Sequence, residues 1–314
     1  MIENIPREAV ATVVQQALRE GMIREEDTAV LFYDLDHLAS RIAYLRSCFP
    51  STTLHGLAVK ANPLLRILEF TLGLGSGAEA ATIGEIAIAL RAGYVPNQIV
   101  FDSPVKTLSD LRFAMERGVH LNCDNLEEVK RVNILLNEIS TSSTFGIRIN
   151  PQIGVGSILE SSVAGEYSKF GVPINTQRKE LENAFINYPW LTGVHLHVGS
   201  QGCAMEMLTE GVGILYDFMQ EMNEKREANS EKRINIFDIG GGLPVSYSYH
   251  QEPLRMEDYV EALKARAPGL FESTGRRAQG TGLRAQGSGR RAQGAGRRAQ
   301  STGGTVEDLR RPGA

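Results

Sequence analysis

Cysteine is scarce in this 314-residue chain, and the three present are unpaired in sequence. Cys48, Cys123 and Cys203 stand far apart and form no CxxC motif. That pattern argues against a disulfide framework and a zinc site, and it suits a reducing, cytoplasmic setting. No apolar run approaches the length of a membrane span. The start, from Met1 to Glu8, shows neither the basic n-region nor the apolar core of a secretory leader, and its acids do not suit a transit peptide. The net charge is only −4, which gives no reason to expect nucleic acid or a membrane as partner. That mean hides an asymmetry, because residues 274–314 hold nine arginines against Glu307 and Asp308. An acidic body is therefore joined to a basic tail.

What is present is a core and a rhythm. The apolar fraction of 42% supports a substantial interior. Residues 6–22 read as a helix, and Thr28–Tyr33 as a strand. Asp34 or Asp36 is placed to cap the next helix, which runs to about Ser47. Strands are then predicted near 54–59, 77–81, 98–101, 118–122, 144–149, 191–197 and 234–239. Helices fall between them near 63–72, 83–92, 106–117, 125–138, 176–187, 204–228 and 256–266. Many of the strands are short apolar runs, as expected when both faces are buried. Repeated βα units give a parallel sheet, and their number favours an eight-fold barrel that is one unit short. The long loop from Pro151 to Tyr167 would lie on the C-terminal rim, where barrel active sites form.

From Thr274 the chain repeats TGRRAQG, TGLRAQG, SGRRAQG and AGRRAQS. Such glycine-rich text buries too little apolar surface to offset its ordering entropy, so a disordered tail is expected over 272–314. The copies look more like translated tandem DNA than like an arginine-rich RNA-binding arm. The organisation expected is an N-terminal helix over 1–27, a barrel domain over 28–271, and this tail.

Four features fall at predicted strand ends on one rim. Lys60 ends an apolar run, where a desolvated amine can form a Schiff base with an aldehyde; most lysines at strand ends are simply solvated. Glu79 and Glu85 come next. His195 and His197 lie two apart on one strand and are taken here to point to opposite sides, one at the barrel mouth and one packed in the core. Gly240, Gly241 and Gly242 follow a buried-type strand, where backbone N–H groups can close on an anion. Taken alone, three glycines read first as a simple turn. Ser200, just past another strand, could donate to the same anion.

Together these residues resemble the fold-type III pyridoxal-phosphate decarboxylases, which include diaminopimelate, ornithine and arginine decarboxylases. The matching text is AVKANP at 58–63, GAEAATIGEIAIALRAG at 77–93, RINP at 148–151, SKFGVP at 168–173, HLHVGSQ at 195–201 and FDIGGGLP at 237–244. TAVLFYDLDHL at 28–38 looks like the family's opening strand. Gln201 is closer to the diaminopimelate branch than to the ornithine branch. The resemblance implies an alanine-racemase-like TIM (β/α)8 barrel with pyridoxal 5'-phosphate as cofactor. It implies that Lys60 forms the Schiff base and that His197 stacks on the ring. Ser200 and Gly240, Gly241 and Gly242 would hold the phosphate. Glu79 and Glu85 match acidic positions near the lysine and the cofactor edge, and Arg148 matches a rim arginine. The implied substrate is a small amino acid, with no bound metal, and the family is homodimeric.

The resemblance stops where the repeats begin. The family's Glu-Pro-Gly-Arg segment, whose glutamate pairs with the pyridine nitrogen, has only a superficial echo in Glu272 to Arg276. The last barrel strand and the C-terminal β-domain, with its catalytic cysteine, have no counterpart. The expectation is a decarboxylase of low or no activity as written. The alternative is a non-catalytic homologue acting as a binding or regulatory protein. An alanine-racemase-like barrel is disfavoured by the HVGSQ and GGG texts.

Overall fold

The computed structural model describes residues 7–154, 156–157, 163–200, 203–229, 232–245 and 254–272. The repeat tail and Gln201 lie outside the described residues. Helices α1 (Arg7–Arg19) and α2 (Leu35–Cys48) come first. There follow β1 (Gly56–Ala58), α3 (Leu65–Gly73), β2 (Gly77–Ala80), α4 (Ile83–Arg91), β3 (Ile99–Asp102) and α5 (Leu108–Arg117). Next are β4 (His120–Cys123), α6 (Leu126–Leu136), β5 (Phe145–Asn150), β6 (Val172–Pro173), α7 (Arg178–Asn187) and β7 (Leu191–His195). The described elements close with α8 (Met205–Ala228), β8 (Ile236–Asp238) and α9 (Met256–Arg266).

All strand pairs are parallel, in the order β1-β2-β3-β4-β5-β7-β8, with β6 paired to β5. This is the curled, helix-covered sheet of a TIM-like barrel. Among the described residues β1 and β8 do not pair, so the sheet stays open along two edges. Four of the helices start at side-chain caps. Asp34 accepts the His37 amide at 2.8 Å, so it rather than Asp36 caps α2. Thr82, Thr107 and Asn125 cap α4, α5 and α6 in the same way, each worth about 1 kcal/mol.

Two expectations fail. Thr28–Tyr33 forms no strand; its backbone is irregular, and Leu31 is 81% exposed. A β-prone run becomes a strand only when another strand satisfies its backbone, and none of the described strands does so. Leu31, Phe32, Tyr33 and Leu35 instead line a shallow apolar groove with Leu64 and Leu65. Secondly, the central strands are not apolar on both faces. Ile99, Phe101, Leu121, Cys123, Ile147 and Ile149 are buried in the apolar core. The alternate positions carry Asp102, His120, Asn122, Asp124, Arg148 and Asn150. Since successive side chains point to opposite faces, one face is apolar and the other presents polar groups to the barrel interior. Gly146 makes room for this interior: a Cβ there would stand 2.3 Å from Asn122 Oδ1.

Candidate cofactor site

Lys60 lies in a single 3-10 turn, Val59–Ala61, directly after β1. Its Nζ stands 3.5 Å from Glu79 Oε1 at the end of β2. The amine is not desolvated as the sequence suggested, because its side chain is 61% exposed. The short strand explains this: β1 ends at Ala58, so Lys60 stands on the rim rather than within the sheet. Glu79 is half-buried; burial raises its pKa, and Lys60 acts against that rise. Glu85 is committed elsewhere, since its Oε2 accepts the Ala81 amide at 2.8 Å and braces the start of α4.

The two histidines share a side, contrary to expectation, because residues two apart in an extended segment face the same way. Both lie within the electrostatic reach of Asp102. His197 is held neutral, its pKa pushed down to about 4 by burial and by the positive charges of Arg148, His195 and Lys60. Its Nδ1 accepts the Gly241 amide at 3.3 Å, which fixes the ring against the glycine loop.

His195 is buried, but its neighbours are not those of a packed apolar core. Nε2 lies 3.1 Å from Asp102 Oδ2, and Nδ1 lies 3.0 Å from Asp238 Oδ2. Neither ring N–H points squarely at its carboxylate, so the pairing is ionic in character. Burial opposes a charged ring, but the two carboxylates outweigh it and lift the His195 pKa to about 10. The same pairing holds Asp102 and Asp238 below the ordinary carboxylate range against their own burial.

Arg148 is buried on β5, with Nη1 3.7 Å from Asp102 Oδ2 and 3.8 Å from Asp124 Oδ1. Its guanidinium lies over the Phe170 ring at 4.7 Å. Asp124 accepts the Gly171 amide at 3.2 Å, and burial raises its pKa to about 6. The segment from Ser168 to Gly171 is thereby fastened to the inner wall.

The glycines at 240–242 differ from one another. Gly240 has φ +63°, and a Cβ on it would lie 2.2 Å from the Leu196 carbonyl oxygen. Gly242 has φ +115°, and a Cβ on it would lie 1.8 Å from the Gly199 carbonyl oxygen. Gly241 faces open space. The loop is thus seated directly on the backbone running from Leu196 to Ser200, whose Ser200 is exposed. More than a simple turn is built here, since two strand-end segments meet at distances that only glycine permits.

Sequence reasoning singled out Lys60, Glu79, His197, Ser200 and the glycines. The structure gathers Lys60 with Glu79 at one strand end, and His197, Ser200 and the glycine loop at another. Asp102, Asp124 and Asp238 were missed. The available signal was that each follows an apolar residue and lies within two residues of the C-terminal end of a predicted strand.

The donor set suits pyridoxal phosphate. An exposed amine meets an aldehyde, a neutral imidazole offers a flat face to a ring, and a loop narrowed to glycine with a neighbouring hydroxyl suits a phosphate.

Comparison with known proteins agrees. Residues 35–279 match the family described as pyridoxal-dependent decarboxylase, pyridoxal binding domain. The diaminopimelate decarboxylase of Campylobacter jejuni is 29% identical over 252 residues, covering 79% of this chain and 61% of that protein. That of Helicobacter pylori is 28% identical over 263 residues, covering 80% of this chain and 61% of its own length. The crystal structure of diaminopimelate decarboxylase from Helicobacter pylori complexed with L-lysine matches with a TM-score of 0.69 at 28% identity. That match covers 81% of this chain and 64% of the other. The chain therefore spans less than two thirds of the length of these relatives. No described helix is long and apolar enough to cross a membrane. The cofactor of this domain is pyridoxal 5'-phosphate, and the chain belongs to the pyridoxal-dependent decarboxylases through their pyridoxal binding domain.

Proposed function

We propose that this barrel serves a decarboxylase acting on a basic or dicarboxylic amino acid, diaminopimelate foremost. The observation that carries the reading is the rim itself: Lys60 and Glu79 at one strand end, and His197 against the glycine loop at another. The diaminopimelate decarboxylases among the relatives support the substrate. When bound, the cofactor supplies an electron sink for the bond to the departing carboxylate. Lys60 contributes the amine that holds the aldehyde, and Glu79 orients that amine. His197, kept uncharged, packs against the ring without drawing its protons. Ser200 and the glycine loop bind the phosphate. Arg148 and its two aspartates hold the inner wall rigid. Glu85 acts at one remove, by bracing α4 behind Glu79.

We also propose that the 314-residue polypeptide turns over slowly by itself. Its residues 272–314 offer only Glu272, Glu307 and Asp308 as acids, none in a Glu-Pro-Gly-Arg arrangement that would pair with a pyridine nitrogen. Assembly as a homodimer and residence in the cytoplasm belong to the same reading.

The test is reconstitution with pyridoxal 5'-phosphate, followed by absorbance and by carbon dioxide release from diaminopimelate, ornithine and arginine. A near-visible band that needs Lys60, with diaminopimelate turned over well below ~1 s⁻¹, is expected. Absence of the band would defeat the cofactor reading. Turnover in the ordinary enzyme range would defeat the claim of slowness.

A further inference from the structure

Asp238 ties the buried interior to the glycine loop at Gly240. Its Oδ2 lies 3.0 Å from His195 Nδ1 and accepts Asn122 Nδ2 at 3.1 Å. Its Oδ1 accepts the Gly240 amide at 2.9 Å. Gly240 is the residue whose left-handed φ of +63° turns the chain onto Leu196. The carboxylate that fixes this turn is therefore set from behind by His195. His195 in turn is anchored by Asp102, with Arg148 behind it at 3.7 Å.

We propose that His195 is a positioning residue for the phosphate subsite: clamped between Asp102 and Asp238, it holds Asp238 on the Gly240 amide and so sets the shape of the glycine loop. The proposal rests on the reading above that this loop takes the phosphate. An enclosed carboxylate and a part-buried one facing one uncharged ring would repel each other without compensation, and one would turn away toward water. Asp238 is the one free to turn, because it stands at the open end of the sheet on β8, whereas Asp102 is enclosed on β3. Loss of the ring's charge then frees Asp238, and the Gly240 turn loses its fixed acceptor. The amine of Lys60 stands directly after β1, where its ion-pair partner is Glu79.

The prediction separates a phosphate-bearing ligand from the same ligand without phosphate. In the full chain, His195→Gln is expected to weaken pyridoxal 5'-phosphate by about 10-fold or more, as loss of a charge-assisted hydrogen bond does, while pyridoxal changes by less than about 2-fold. Both affinities are read from the absorbance band. The rise in melting temperature caused by inorganic phosphate should shrink in parallel. Asp238→Asn keeps an oxygen for the Gly240 amide and should retain part of the preference for the phosphorylated ligand.

Equal loss of both ligands would mean a general structural role and would overturn the proposal, as would an unchanged preference. Should His195→Gln fail to fold, Asp102→Asn releases the other end of the clamp and must show the same selective loss. If wild type gains stability from inorganic phosphate but forms no band, the Lys60 reading fails while the phosphate effect still tests His195. If wild type responds to neither ligand, both fall.

Discussion

Replacing Gly242 by alanine tests the glycine loop most sharply, with Gly241→Ala as its partner experiment. At Gly242 the new Cβ would sit 1.8 Å from the Gly199 carbonyl oxygen. The nearest atom is backbone, so no side chain can rotate out of the way. One of the two segments must retreat by about 1.5 Å to restore ordinary contact. The backbone at φ +115° also suits glycine alone. Strain of ~1–3 kcal/mol and overpacking of ~1–3 kcal/mol together give a destabilisation of about 2–6 kcal/mol. At Gly241 no atom lies within 4 Å of the new Cβ, and no positive φ is imposed. Gly241→Ala should therefore stay within ~0.5 kcal/mol of wild type. Urea unfolding of the three proteins gives the ranking, and titration with pyridoxal 5'-phosphate shows whether the cradle is lost with it. Gly242→Ala with wild-type stability, or Gly241→Ala falling as far as Gly242→Ala, would refute the geometric account of the loop.

Other consequences follow from the interior. Lys106 is fully buried with its Nζ 2.8 Å from Glu128 Oε2, so Glu128→Ala should cost about 3–5 kcal/mol by urea unfolding, and Lys106→Met with Glu128→Met should recover most of it. Gly146→Ala drives a Cβ to within 2.3 Å of Asn122 Oδ1 and should cost about 1–3 kcal/mol, with the Asn122–Asp238 hydrogen bond disturbed. Asp124 has a folded pKa raised to about 6, so its contribution is present at low pH and is lost as pH rises through 6; Asp124→Asn should flatten the stability curve between pH ~4 and 6. His195, raised to about 10, stabilises the fold fully below its ordinary pKa and loses that contribution as pH climbs toward 10. Wild type should therefore lose stability over pH ~6.5–10, and His195→Gln should show a smaller slope in thermal unfolding.

Much of this was legible in the sequence, and the parts that were not share a cause. Helices carry their own signals, so Thr82, Thr107 and Asn125 mark helix starts without reference to the rest of the fold. Thr28–Tyr33 carried a strand signal, but a strand needs a partner, and propensity does not supply one. The inner wall of the barrel was hidden because β1, β3 and β8 are three or four residues long. In strands so short a single polar residue, such as Asp102 or Asp238, looks like the edge of a loop. His195 and His197 were misread by placing residues two apart on opposite faces. The correct periodicity puts both on the inner side and brings His195 to its two aspartates. Glu85 was found by its place in a motif, but its carboxylate serves the Ala81 amide.

The central claim is that Lys60 is the residue that holds the cofactor. Borohydride reduction of the full chain with pyridoxal 5'-phosphate, followed by peptide mapping, tests it directly. Lys130 is an internal control, because at 59% its side chain is as exposed as that of Lys60 at 61%. Label on Lys60 in stoichiometric yield, with Lys130 essentially unmarked, is the predicted result. Equal labelling of the two lysines, or label elsewhere with none on Lys60, would contradict the account.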